Sequence, residues 1–291
     1  MTGIARTSGA ITIANALPTG VGCAVGIGLY AEARVELSTD PSATTPALVV
    51  PRESHTLVVE ASLRTAVARY YPERGAVARL SLRSDVPVAR GLKSSSAVST
   101  AVLLAVAKEA RRKPTALEIG KMSAEVGRQA GVSATGALDD ALAGLEPGLV
   151  VTHNIRGEVL RRAPLDPSLG VALYIPPRSH PPSPNLRSAF EREKESGGLA
   201  ARAAIDGDWP KAMRLNTELV ERTMGYAYGE LRDRLRAHGA VASGVSGLGP
   251  ALAVVAPLQI LPELVDVFPS DDAQKLIVPF TRVPSVEGDP S

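Results

Sequence analysis

The stretch Gly91-Leu92-Lys93-Ser94-Ser95-Ser96-Ala97 sits between a strand-like run and a clean helical run. It obliges the chain to pass from a strand through a tight turn into a helix start. A helix start leaves backbone N–H donors without partners and carries a partial positive charge, and both favour an anion. A turn of this composition therefore suits a phosphate group cradled by backbone N–H. An ordinary Ser-capped helix is the simpler reading, because serine is a favoured N-cap, but three consecutive hydroxyl residues exceed what a cap requires. Despite Lys93-Ser94, this is not a Walker A loop. That motif needs glycine immediately before the lysine and again five residues further back, and here those positions hold Leu92 and Pro87.

With 291 residues, the chain is long enough for two domains or one large one. Aromatics make up only 3% of it, so its core must be built from Ala, Val, Leu and Ile. The 32 basic residues are balanced by 30 acidic ones, with no basic block interleaved with aromatics, so nucleic-acid binding is not expected. Cys23 is the single cysteine, which excludes an intrachain disulfide and points to a reducing cytoplasm. Residues 7–31 carry no charge, but Asn15, Pro18 and glycines 20, 22, 26 and 28 interrupt them. Neither a signal peptide nor a membrane span is expected there. The residues carry no signal of oligomeric state.

Strands are expected at Ala10 to Ile13 and Val25 to Val35, with Pro18-Thr19-Gly20 as the turn between them, and at Leu48 to Val50. Apolar positions from Thr56 to Tyr71 recur as one helical face, and Ala76 to Leu82 alternates as a half-buried strand. Helices follow at Ser95 to Arg112, at Thr115 to Ala130 and at Ala137 to Leu145, the second opening with a Thr115/Glu118 capping box. Leu149 to Thr152 and Val171 to Ile175 read as strands. After the proline-rich 176–184, helices are expected at Ala189 to Ile205, Trp209 to Gly225 and Tyr228 to Ala237. Val241-Ala242 leads into a glycine-rich loop, then a strand from Ala251 to Val255. Strands and helices cluster rather than alternate strictly, which favours an α+β fold, with a domain boundary near 150–165.

Three further segments carry possible chemistry. Thr135-Gly136-Ala137-Leu138-Asp139-Asp140-Ala141 puts two adjacent acids at a helix start, where the helix dipole alone accounts for acidic residues. Glu125, close to Arg128, reads by itself as a solvated charged face. Ser243 to Ala251 contains Gly244, Gly247 and Gly249 and is either a tight hairpin or a close backbone approach to a ligand.

The order of these segments resembles the GHMP kinase superfamily and, within it, the archaeal-type shikimate kinases. The Lys-bearing loop 91–97, the opening Ser8 to Ile13, Ala124-Glu125-Val126 and Thr135 to Ala141 carry the likeness, which covers about residues 5–255. The chain departs from that pattern at Glu146-Pro147-Gly148, where paired glycines are usual, at His153-Asn154, and at Leu248, where threonine is usual. The resemblance implies a two-domain fold, residues 1–155 and 156–291, with an ATP site between the domains. It implies a small-molecule kinase using ATP and Mg²⁺ to phosphorylate shikimate. Alternatives are another alcohol such as homoserine, pantoate, mevalonate or an aminoshikimate-like ring, or a non-catalytic ligand-binding relative. By family position Asp139 is the catalytic Asp that orients the acceptor hydroxyl or takes its proton, and Ser95 and Glu125 hold Mg²⁺. Residues 91–97 with Gly244, Gly247 and Gly249 bind ATP. Asn15, Thr19, Asp140 and Arg178 meet the acceptor, with Arg6 and Arg90 as further candidates for its carboxylate.

Overall fold

The computed structural model describes residues 2–177, 185–282 and 285. The chain opens with β1 (Gly3–Ala14) and β2 (Val21–Thr39), then the short β3 (Ala47–Val49), α1 (Leu57–Tyr70) and β4 (Ala76–Ser84). Three helices follow, α2 (Ser94–Glu109), α3 (Ala116–Gln129) and α4 (Leu138–Leu145), and then β5 (Leu149–His153) and β6 (Glu158–Ala163). These six strands form one sheet in the order β3-β4-β2-β5-β6, with β1 paired to β2. β2 is its spine: Val21 to Val25 pair with β5, Ala31 to Thr39 pair with β4, and β1 runs antiparallel along it.

The rest of the chain supplies β7 (Leu169–Ile175), α5 (Leu186–Arg192), α6 (Lys194–Asp206), α7 (Trp209–Met224) and α8 (Gly229–Ala237). It ends with β8 (Ala242–Val245), β9 (Leu252–Pro257), α9 (Leu261–Asp266) and β10 (Gln274–Pro279). The second sheet is antiparallel throughout, in the order β10-β7-β9-β8. The α+β expectation therefore holds.

α2 explains how a chain so poor in aromatics builds its first core. Its Ala97 and Ser99 to Ala107 are all buried, so it is covered on every side, enclosed by β1, β2, α1 and α3. Small side chains let neighbouring elements approach closely. A Cβ at Gly26 would overlap the carbonyl of Ala143, and one at Gly144 would overlap the carbonyl of Ser8, so α4 is pressed directly onto β1 and β2. α3 starts with the expected capping box: Glu118 N–H donates to Thr115 Oγ1 at 3.2 Å, and Thr115 N–H donates to Glu118 Oε2 at 2.8 Å. A cap of this kind stabilises a helix by about 1 kcal/mol. A second core around β7, α7 and α8 uses the few aromatics, Tyr174, Phe190 and Phe268.

Some elements differ from the sequence reading. The helix expected over 189–205 breaks at Glu193, whose backbone (φ −90°, ψ 18°) ends α5 and opens α6 while Arg222 Nη2 donates to its carboxylate at 2.8 Å. β6 is mostly exposed and lacks the alternation that marks a half-buried strand. Gly244 lies inside β8 rather than in a loop. Among the described residues no helix is long and apolar enough to cross a membrane.

Candidate active site

The site begins with backbone conformation. Three residues ahead of α2 are left-handed: Ala89 (φ 56°), Gly91 (φ 81°) and Lys93 (φ 65°). Successive peptide groups turned this way gather N–H donors into an anion-binding concavity. The loop's carbonyls are engaged elsewhere. Ala251 N–H donates to Arg90 O at 3.2 Å, Ser246 Oγ donates to Gly91 O at 2.8 Å, and Ala10 N–H donates to Leu92 O at 3.2 Å. Lys93, the N-cap of α2, makes no side-chain cap hydrogen bond, so the N–H groups of the first turn are left to a ligand.

The late loop braces this turn. Ser246 is fully buried, and its Oγ also accepts from Thr12 N–H at 3.1 Å, while Gly247 N–H donates to Thr12 Oγ1 at 3.0 Å. A Cβ at Gly91 would overlap the carbonyl of Ser246, so only glycine permits this approach. Tyr226 and Tyr228 donate to the carbonyls of Leu248 and Pro250 at 2.7 and 2.9 Å.

Opposite the loop, α4 begins after Gly136 (φ 90°) and Ala137 (φ 52°) and presents Asp139 and Asp140, which are 4% and 7% exposed. Lys93 Nζ lies 3.1 Å from Asp140 Oδ2. Asp140 Oδ1 is buried and makes no hydrogen bond among the described residues. Asp139 Oδ1 accepts from Asn154 Nδ2 at 2.8 Å, and a Cβ at Gly22 would overlap the Asp139 carboxylate. Burial, and after it the charge of Asp140, push the Asp139 carboxyl up to about 7 against the opposing pull of Lys93 and Asn154. Burial also raises Asp140, with Lys93 opposing. The pair thus holds one acid near neutrality and one tied to a cation, an arrangement suited to proton transfer beside a charged group.

Both halves line one cavity of about 580 Å³. Of the expected residues, Gly91 to Ser96, Gly247, Gly249, Asn15, Asp139 and Asp140 line it. Ala97 does not: it is buried behind the loop, its carbonyl accepting from Thr7 Oγ1 at 2.6 Å. Gly244 is another departure. A Cβ there would overlap Thr217 Oγ1, so its glycine serves the packing of β8 on α7. Thr19 Oγ1 accepts from Val21 N–H at 3.1 Å and closes the first turn away from the cavity. Glu125 sits on the exposed side of α3, accepting from Gln129 Nε2 at 3.0 Å, and does not line the cavity. Arg6 stacks on Tyr30, 3.7 Å from the ring centroid, in a separate cavity, and Arg90 Nη2 donates to Pro177 O at 2.7 Å. Arg178 lies outside the described residues. Asn154 and Gly22 are the site residues that the sequence reading missed. Glycines recurring at 22, 26 and 28 along β2 are a signal of close approach. Asn154 stands out in the sequence only within the departure at His153-Asn154; its link to Asp139, 15 residues away, leaves no local signal.

The fold matches that of known kinases. Residues 57–146 match the family model for the GHMP kinases N terminal domain. Solved structures of the same fold include homoserine kinase from Cytophaga hutchinsonii, at TM-score 0.70 and 13% identity over 95% of this chain and 94% of that one. Galactokinase from Lactococcus lactis matches at TM-score 0.70 and 11% identity, over 96% and 93% of the two chains. The chain belongs to the GHMP kinase family. It is similar to the shikimate kinase of Pyrococcus abyssi, 35% identical over 257 residues that cover 88% of this chain and 92% of that protein. The shikimate kinase of Methanothermobacter thermautotrophicus is 34% identical over 281 residues, 94% and 93% of the two chains.

Proposed function

We propose that this protein transfers the γ-phosphoryl group of ATP to the 3-hydroxyl of shikimate. One observation carries the chemistry: the buried Asp139–Asp140 pair and the donor-rich turn at the start of α2 line the same cavity. The acceptor is supported by the 35% and 34% identity to shikimate kinases over nearly the whole chain.

Phosphoryl transfer depends mainly on positioning and charge stabilisation. In this reading the N–H groups of Ser94 to Ser96 hold the triphosphate at the positive end of α2, and Gly247 and Gly249 border it from the late loop. The acceptor hydroxyl oxygen attacks the γ-phosphorus, the bond to the β–γ bridging oxygen breaks, and ADP leaves. The hydroxyl proton passes to the Asp139 carboxylate, whose raised affinity for a proton suits that task. Lys93 balances the charge of Asp140 and lies at the edge of the phosphate turn. Asn15 and Asp140 border the acceptor. Its carboxylate needs a guanidinium, for which the sequence offers Arg6, Arg90 and Arg178 as candidates. In the proposed division, residues 1–155 supply the phosphate turn and the acids, and residues 156–291 supply the late loop.

Magnesium is the metal this reading implies. The Ser95 hydroxyl is an exposed hard-oxygen donor on the cavity wall. Among the described residues no group of three or more His, Cys, Asp and Glu gathers to hold an ion alone. Such a donor set fits Mg²⁺, which is commonly held by one or two protein oxygens together with substrate phosphates. Ser95 would be the protein ligand, and the bound ion would neutralise charge on the phosphate oxygens. The test is product identification: Mg-ATP and shikimate should yield a phosphomonoester on the 3-oxygen, seen by phosphorus-31 NMR. Absence of that product with active-site ATP bound would overturn the assignment of the acceptor.

A further inference from the structure

Asn154 lies just beyond β5 and is 3% exposed. Every polar atom of its amide is engaged. Oδ1 accepts from Asp139 N–H at 3.2 Å and from Thr152 Oγ1 at 2.5 Å, while Nδ2 donates to Asp139 Oδ1 at 2.8 Å and to Thr135 Oγ1 at 3.2 Å. Its own N–H donates to Gly20 O at 2.8 Å. The amide orientation is therefore unambiguous. Exchanging oxygen and nitrogen would set NH₂ against the Asp139 N–H and a carbonyl against its carboxylate. Gly22 on β2 closes the other side, because any Cβ there would overlap the Asp139 carboxylate. The side chain is thus held by Asn154 at Oδ1 and confined by the β2 backbone at Oδ2.

We propose that Asn154 is the positioning residue that fixes the Asp139 carboxylate toward the acceptor hydroxyl. The role rests on the phosphoryl-transfer reading above and adds to it a residue that gathers Asp139, Thr135 and Thr152 around one amide. It also explains why an amide and not an acid suits this position. A third carboxylate beside Asp139 and Asp140 would add like charge to a buried site in which, among the described residues, Lys93 is the cation paired with Asp140. Cys23, buried on β2, also lies within electrostatic reach of Asp139.

N154D keeps the shape of the side chain and replaces the donor by an oxygen; N154S removes the amide and is smaller. With Mg-ATP and shikimate, both should lower kcat by about tenfold or more and leave KM for ATP within about twofold, because the phosphate turn is untouched. Loss of the hydrogen bond to the ionised carboxylate favours its protonated form, so the acid limb of the pH–rate profile should move up by about one pH unit. The carbon-13 titration of the Asp139 carboxyl, assigned with D139N, should move the same way and needs no turnover. If N154S does not fold, N154D carries the test because it conserves volume. An Asp139 titration and pH–rate profile identical to the parent's would overturn the proposal, whatever happens to stability. A moved titration in a protein that does not use shikimate would retain the positioning role and reject the assigned acceptor.

Discussion

Lys93 Nζ reaches Asp140 Oδ2 at 3.1 Å from a backbone held in the left-handed region at φ 65°. For a residue with a Cβ that conformation costs about 1–2 kcal/mol. Leaving a buried carboxylate without its partner costs more, about 3–5 kcal/mol. The larger effect explains why this turn can carry a lysine at a position whose backbone suits glycine.

The two terms can be separated by substitution. K93G and K93A both remove the cation from Asp140, but only K93G relieves the backbone. K93G should be the more stable of the two by about 1 kcal/mol in urea unfolding at pH 8. K93A more stable than K93G by about 0.5–1 kcal/mol, the entropy that glycine alone costs, would show that the left-handed turn carries no strain.

Asp139 governs the predicted pH dependence. Its carboxyl is pushed up to about 7, mainly by burial, so the base form is lost and turnover falls as pH drops below about 7. A profile flat between pH 6 and pH 8 would contradict this, and so would one falling on the alkaline side of that range.

The same shift has a stability sign. The folded value of about 7 lies above the ordinary 3.8, so the folded state holds this proton more tightly than the unfolded chain does. The group's contribution is fully present below pH 3.8 and is lost as pH rises through 7. D139N, which mimics the protonated acid, should gain thermal stability over the parent at pH 8 and less at pH 5. Equal gains at both would place the titration elsewhere.

D139N should also lower turnover by orders of magnitude while ATP affinity, read by thermal shift, changes little. Full turnover would remove Asp139 from proton transfer.

S95A tests the metal assignment. The Ser95 hydroxyl is the proposed protein ligand, so its loss should raise the Mg²⁺ concentration needed for half-maximal rate. An unchanged Mg²⁺ requirement would move the ion to other ligands.

Much of the first half of the molecule is legible from local pattern. The phosphate turn, the capping box on α3 and the acids opening α4 each announce themselves within seven residues, because turn chemistry and helix starts are local. What escapes depends on which neighbour each side chain finds. Gly244 looks like a loop glycine until β8 packs on the distant Thr217, whereas Thr19 and Glu125 find hydrogen-bond partners two and four residues away in the chain instead of facing the cavity. The sequence marks Asn154 only within the departure at His153-Asn154, and its role comes from α4 folding back over β5. β6 lies at the sheet edge with too few buried positions to print a period of two.

The most direct test of the account is an ADP-release assay with Mg-ATP in which shikimate is offered beside homoserine, pantoate, mevalonate and galactose, each alone. The account predicts turnover with shikimate and background rates with the other four. Turnover with one of the others and none with shikimate would contradict it.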